Sequence, residues 1–119
     1  AWAAGRRAAA DHYVRAGLGE LVALPVPTAG SEPAWHLYVI RHRDVDRIAA
    51  ALAAAGHGHK AYYRTPIHRQ PAMARWGAAA TLPVTDALAA THLAIPMSPL
   101  LTAEQAREVT ATIRRALGG

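Results

Sequence analysis

One short segment, Trp35 to Arg41, constrains the fold of this chain more than any other. In an extended backbone successive side chains alternate between faces. Trp35, Leu37 and Val39 then point one way, and His36, Tyr38 and Ile40 the other. Bulk on both faces predicts a central strand covered on both sides. The rest of the chain offers little comparable bulk. Of its 119 residues 52% are hydrophobic, but alanine dominates and phenylalanine is absent. Small side chains of this kind suit close helix packing better than a large cavity.

Local signals place the other elements around that strand. Trp2 to Ala16 holds good helix formers and no proline. It sets Ala9 and Tyr13 on one face and ends near Gly17, a residue suited to a left-handed C-cap. Leu21 to Leu24 is a short apolar run stopped by Pro25 and Pro27, and residues 28–33 read as a loop. Asp44 is placed to cap the next helix. That helix carries the apolar stripe Val45, Ile48, Ala49 and Leu52 and ends at Gly56. His57 to Tyr63 reads as a further strand leading into Thr65 and Pro66. Pro83 sits at the first position of a short helix covering Val84 to Leu93. Two prolines keep Ala94 to Pro99 extended. Thr102 and Gln105 form a capping box for a last helix that buries Ala106, Val109, Ile113 and Leu117 and stops at Gly118. The expected class is α+β, with a small antiparallel or mixed sheet of about three strands and helices packed on it.

The composition excludes several chemistries. The chain has no cysteine, which excludes disulfides and thiolate metal sites. Its longest apolar run is far short of a membrane span, and no secretory start is visible. A cytoplasmic protein with no membrane partner is the default expectation. The formal charge is +5, and Lys60 is the one lysine. The arginines are scattered, with short pairs only at Arg6/Arg7 and Arg114/Arg115, so no nucleic-acid partner is expected. Gly56-His57-Gly58 follows a helix rather than a strand and is too short for a phosphate loop. No serine-centred nucleophile elbow occurs. His57 and His59 could begin a zinc site, but no carboxylate lies near them in sequence, and no metal is expected. Lys60 lacks the phosphate donors and the cationic neighbour that a Schiff-base lysine needs.

The most informative stretch is Tyr62-Tyr63-Arg64-Thr65-Pro66-Ile67-His68-Arg69-Gln70-Pro71. Its prolines stiffen a loop that carries aromatic, basic and amide groups, the kind of frame on which sites are built. Two arginines could receive phosphate oxygens. A structural turn with exposed polar groups fits the same composition equally well.

At this stretch the sequence resembles the DegT/DnrJ/StrS family of sugar-nucleotide aminotransferases. That family reads Gly-Ile-Gly-Thr-x-x-His-Tyr-Pro-x-Pro-Leu-His-x-Gln-Pro near its C-terminus. Gly56, Gly58, Tyr63, Pro66, His68, Gln70 and Pro71 stand in matching positions, with Ile67 for leucine. Trp35-His36-Leu37-Tyr38-Val39 is similar to a family strand, and Arg43-Asp44 opens the next helix as the family does. Leu82-Pro83-Val84 through Leu93, then Ile95-Pro96-Met97-Ser98-Pro99-Leu100, resembles the family's ending. Arg6-Arg7 to Tyr13 resembles its interdomain helix. Tyr62 stands where the family usually has histidine, Arg64 where it has proline, and Met97-Ser98 where Leu-His is common.

The resemblance implies the small domain of a fold-type I aminotransferase. Residues 1–17 would be an interdomain helix and 18–119 the C-terminal small domain, without the large domain that holds pyridoxal phosphate (PLP) and its lysine. It implies a parent that moves an amino group from glutamate or glutamine to a keto-sugar nucleotide and works with a homodimer partner. No catalytic residue and no bound PLP are expected on this chain alone. His68 and Tyr63 would face the sugar side of the site, and Arg64 and Arg69 would steer the nucleotide diphosphate. The competing expectation is a free-standing, non-catalytic module that binds an anionic ligand or a protein partner.

Overall fold

The computed structural model describes residues 1–77 and 79–119. Helix α1 (Trp2–Arg15) closes at Gly17, whose φ of 78° is left-handed. After a 3-10 turn at Leu18–Glu20 come strand β1 (Tyr38–Arg41) and helix α2 (Val45–Ala54). Two further 3-10 turns, Ile67–Arg69 and Pro71–Met73, lead to the one-turn α3 (Ala74–Gly77). Helix α4 (Pro83–Thr91) runs directly into strand β2 (His92–Ile95), and α5 (Ala103–Leu117) completes the chain.

The sheet is antiparallel, with Tyr38 opposite Ile95, Val39 opposite Ala94, Ile40 opposite Leu93 and Arg41 opposite His92. Opposed residues share a face. One face therefore carries Tyr38, Ile40, Leu93 and Ile95, all buried. Helices α1, α2 and α5 supply the matching layer through Tyr13, Ile48, Leu52, Val109 and Ile113. Helix α5 packs on both α1 and α2, and its capping box is complete: Gln105 N–H donates to Thr102 Oγ1, and Thr102 N–H to Gln105 Oε1. Tyr13 stacks on Tyr38 with ring centroids 5.4 Å apart and donates its hydroxyl to the Pro96 carbonyl at 2.6 Å. Burial raises the Tyr13 phenol well above its ordinary value and raises Tyr38 as well. Gly5 lets α1 approach the segment after β2, since a Cβ there would meet the Pro99 carbonyl oxygen at 2.5 Å.

Four local expectations change. The helix expected to run to Leu93 stops at Thr91, because His92 and Leu93 pair with Arg41 and Ile40 in the sheet. The strand expected over 35–41 begins only at Tyr38, because Trp35 takes a left-handed φ of 46° and its ring turns edge-on to Tyr38. The face bearing Val39 is only partly covered, and Leu37 is exposed. The strand expected over 57–63 contracts to one bridge, Lys60 to Ala94. There the two residues exchange both backbone hydrogen bonds, and the next donor, Tyr62 N–H, goes to the His92 ring instead of a backbone carbonyl. A second bridge joins Ala23 to Arg41, so the two-stranded sheet is extended by one residue pair on each side. Asp44 does not cap α2 with its side chain. Its φ and ψ of −93° and 36° lie outside the extended region that capping needs. Its backbone N–H donates to His42 Nδ1, while its carboxylate lies 3.4 Å from Arg43 Nε. Among the described residues no helix is long and apolar enough to cross a membrane.

Candidate functional site

The Val39 face of the sheet, α4 and the loop 62–70 enclose an open, mainly apolar cleft of about 360 Å³. Tyr62, Tyr63, Ile67 and Leu88 are among its lining residues and all are exposed, Tyr63 and Ile67 the most. The loop that walls the cleft is fastened to its surroundings at both ends.

At the start of the loop, Tyr62 N–H donates to His92 Nε2 at 2.8 Å, and His92 Nδ1 lies 2.8 Å from the Leu88 carbonyl. A ring that accepts at Nε2 and meets a carbonyl at Nδ1 carries its hydrogen on Nδ1. Arg64 spans two elements. One guanidinium nitrogen donates to the Ala90 carbonyl at 2.9 Å, and the other to Asp46 Oδ1 on α2 at 2.8 Å. Gln70 Nε2 donates across the loop to the Thr65 carbonyl.

The far limb of the loop converges on Asp86 in the first turn of α4. Arg69 donates to both carboxylate oxygens, from Nε at 2.8 Å and from its terminal nitrogen at 2.6 Å. Such planar, charge-assisted pairs fix geometry as well as adding attraction. The Arg69 hydrogen bond is the largest cause holding the Asp86 carboxyl below its ordinary range, and the same bond raises Arg69. The His68 ring is 9% exposed, and its Nε2 lies 3.2 Å from Asp86 Oδ1. That contact is close enough for an ion pair but too poorly aligned to count as a hydrogen bond, and among the described residues Nε2 has no other partner. Gly77 packs on the His68 backbone so tightly that a Cβ would run into the His68 carbonyl oxygen.

The four residues singled out from sequence thus share one loop but differ in orientation. Tyr63 is 73% exposed. His68, Arg64 and Arg69 direct their polar atoms toward α2 and α4. Asp46, Asp86 and His92 were not picked out from sequence. The available signal was charge: the chain has only eight carboxylates against thirteen Lys and Arg, and two of the eight meet this loop. His57 and His59 form no pair of parallel ligands, because His59 Nδ1 turns back to the His57 carbonyl at 3.1 Å.

Comparisons with known proteins follow this architecture. Saccharopolyspora erythraea EryC1, named as an erythromycin biosynthesis sensory transduction protein, is 34% identical over 116 residues, covering 95% of this chain and 31% of that protein. A UDP-N-acetyl-3-dehydro-alpha-D-glucosamine 3-aminotransferase of Acidithiobacillus ferrooxidans is 36% identical, covering 97% of this chain and 31% of its own length. Among solved structures, a DegT/DnrJ/EryC1/StrS aminotransferase from Brucella abortus superposes with a TM-score of 0.88 at 31% identity, covering 99% of this chain and 32% of its own. S. venezuelae DesV, solved with a ketimine intermediate, gives 0.89 at 30% identity over the same shares. The chain spans about a third of the length of these relatives. The profile of the DegT/DnrJ/EryC1/StrS aminotransferase family matches residues 1–114, and the chain belongs to that family.

Proposed function

We propose that this chain is the C-terminal small domain of a PLP-dependent aminotransferase that transfers an amino group to a keto-sugar nucleotide. The observation that carries the proposal is continuity. The family match spans residues 1–114, from α1 through the sheet and the loop 62–70 into α5, and relatives that cover nearly all of the chain are named as sugar transaminases. In this reading α1 is the interdomain helix, residues 18–119 form the small domain, and the parent works in the cytoplasm as a homodimer.

The residues of this chain do not fit PLP. Lys60 is held in its bridge to Ala94, with Gly58, His59, Ile95 and Pro96 around it. Among the described residues it has no serine, threonine or helix N-terminus beside it to take a cofactor phosphate. The cofactor and its lysine therefore belong to the rest of the parent. What this chain contributes is a wall: Tyr63 reaches the sugar, and His68, Arg64 and Arg69 shape the loop from which it projects. Such a wall holds substrate in a productive pose and keeps water from it.

The test is reconstitution. The parent polypeptide with PLP should aminate a UDP- or dTDP-linked keto-sugar at the expense of glutamate or glutamine. The 119-residue chain with PLP should give no borohydride-trappable adduct. An adduct at Lys60, or a parent that aminates no sugar nucleotide, overturns the reading.

A further inference from the structure

We infer that Asp86 is a positioning residue for substrate, setting the loop 62–70 through Arg69 and His68; this rests on the functional reading above. The loop has two limbs. The first is tied by Tyr62 to His92 and by Arg64 to Ala90 and Asp46. Among the described residues the second, Ile67–Arg69, has one side-chain tether to α4, the carboxylate of Asp86. Among the described residues the Gln70 side chain ties the loop only to itself, while its carbonyl accepts from Met73 N–H in the turn that follows.

The carboxylate serves two groups at once. It takes the Arg69 fork on both oxygens, and it is the one acid beside a buried imidazole nitrogen that lacks any other partner among the described residues. Its place in the first turn of α4 suits a negative charge, since the helix dipole is positive there. Without the charge, Arg69 keeps at most a neutral hydrogen bond in place of its fork, and the His68 ring loses the one carboxylate beside its unpartnered Nε2, which favours turning the ring out to water. Turning it out moves Ile67 and Pro66, which line the same cleft as Tyr63. Asp86 need not touch substrate for its loss to be felt there.

The variants are Asp86→Asn, which keeps the shape and removes the charge, and Asp86→Glu as the conservative replacement. Two readouts are taken. Hydrogen exchange on the 119-residue chain compares amides 62–70 with those of β1. Kinetics on the parent compare KM for the keto-sugar nucleotide with kcat and with KM for the amino donor. Asp86→Asn should speed exchange in the loop about tenfold and leave β1 unchanged. It should raise KM for the sugar nucleotide about tenfold, with kcat and donor KM within about twofold. Asp86→Glu should recover most of both effects. Unchanged loop exchange, or loop and β1 rising together, overturns the tether. A loop that loosens with no change in sugar-nucleotide KM overturns the link to substrate. Absence of any sugar-nucleotide amination by the unaltered parent sinks the functional reading separately, while the exchange result still decides the tether.

Discussion

Tyr13→Phe tests how α1 is held. The Tyr13 ring is fully buried, stacks on Tyr38 and donates to the Pro96 carbonyl at 2.6 Å. Phenylalanine keeps the ring and the stack and removes only the hydroxyl. The loss is one neutral hydrogen bond plus a carbonyl left without that donor, about 1–2 kcal/mol. For a chain of this size that is a fall in Tm of about 4–8 °C. Tyr13→Ala removes the ring as well and leaves a cavity against Tyr38, for a total of about 3–5 kcal/mol. That is a large share of the stability a domain of this size has to lose. Thermal and urea unfolding followed by circular dichroism measure both. The pair must fall in order, with Phe mild and Ala severe. If Tyr13→Phe melts with the parent chain, the Pro96 bond contributes nothing. If Tyr13→Ala is no worse than Phe, the ring is not part of the core and the placement of α1 is wrong.

Other outcomes follow from the same geometry. Gly77→Ala forces a backbone shift against the His68 carbonyl and should cost about 1–3 kcal/mol, read as a lower Tm and faster exchange in the loop; an unchanged melt would show the contact is not tight. The Asp86 carboxyl is held below its ordinary value by Arg69, so its contribution is present above the unfolded carboxylate pKa of about 4 and is lost as pH falls through the lower folded value. The stability gap between the wild type and Asp86→Asn should therefore close on acidification and persist at neutral pH; a gap that widens in acid refutes the assignment. Tyr13 and Tyr38 are raised above the ordinary phenol value. Their contribution is complete below about pH 10 and lost as pH climbs toward the folded values, so ultraviolet titration should show Tyr13 un-ionised at pH 10, and Tyr38 less ionised than an ordinary phenol, while the chain stays folded. His68→Ala should lower Tm; if turnover per folded parent molecule is also reduced tenfold or more, His68 reaches the substrate, and if turnover is unchanged its work is confined to the loop.

The elements legible in sequence are those whose signals are local. The capping box at Thr102 and Gln105, Pro83 at the start of α4, the left-handed glycines at 17, 56 and 118, and the α2 stripe each depend on residues within a turn or two. The sheet was harder to read, because strand length is decided by partners far away in sequence. Alternation over 35–41 could not reveal that Trp35 turns left-handed, and nothing in residues 57–63 says that the donor after Lys60 will find the ring of His92, thirty positions on. The site divides along the same line. The loop itself stood out by its prolines and polar side chains. The orientation of those side chains depends on Asp46 and Asp86, which lie seventeen or eighteen residues from their arginines.

The positions at which this loop departs from the usual family pattern bear on what the pattern encodes. Arg64 stands where proline is usual. Proline stiffens a loop by fixing φ; Arg64 holds its limb by hydrogen bonds to the Ala90 carbonyl and to Asp46. Two unlike side chains can thus serve one mechanical purpose, and a substitution that looks chemical, an imino acid for a cation, keeps the limb fixed. Tyr62 stands where histidine is usual, and the anchor at that position is its backbone N–H, which any side chain but proline leaves free to bond His92. The Tyr62 side chain is accordingly at liberty to face the cleft, where it meets Tyr63 edge-on with centroids 5.8 Å apart. Anchoring is carried by the backbone at 62 and by the side chain at 64, so variation at 62 can change the cleft wall without loosening the loop, while variation at 64 must supply its own stiffness. Differences in substrate among related loops should then track the outward side chains at 62, 63 and 67 more closely than the inward arginines.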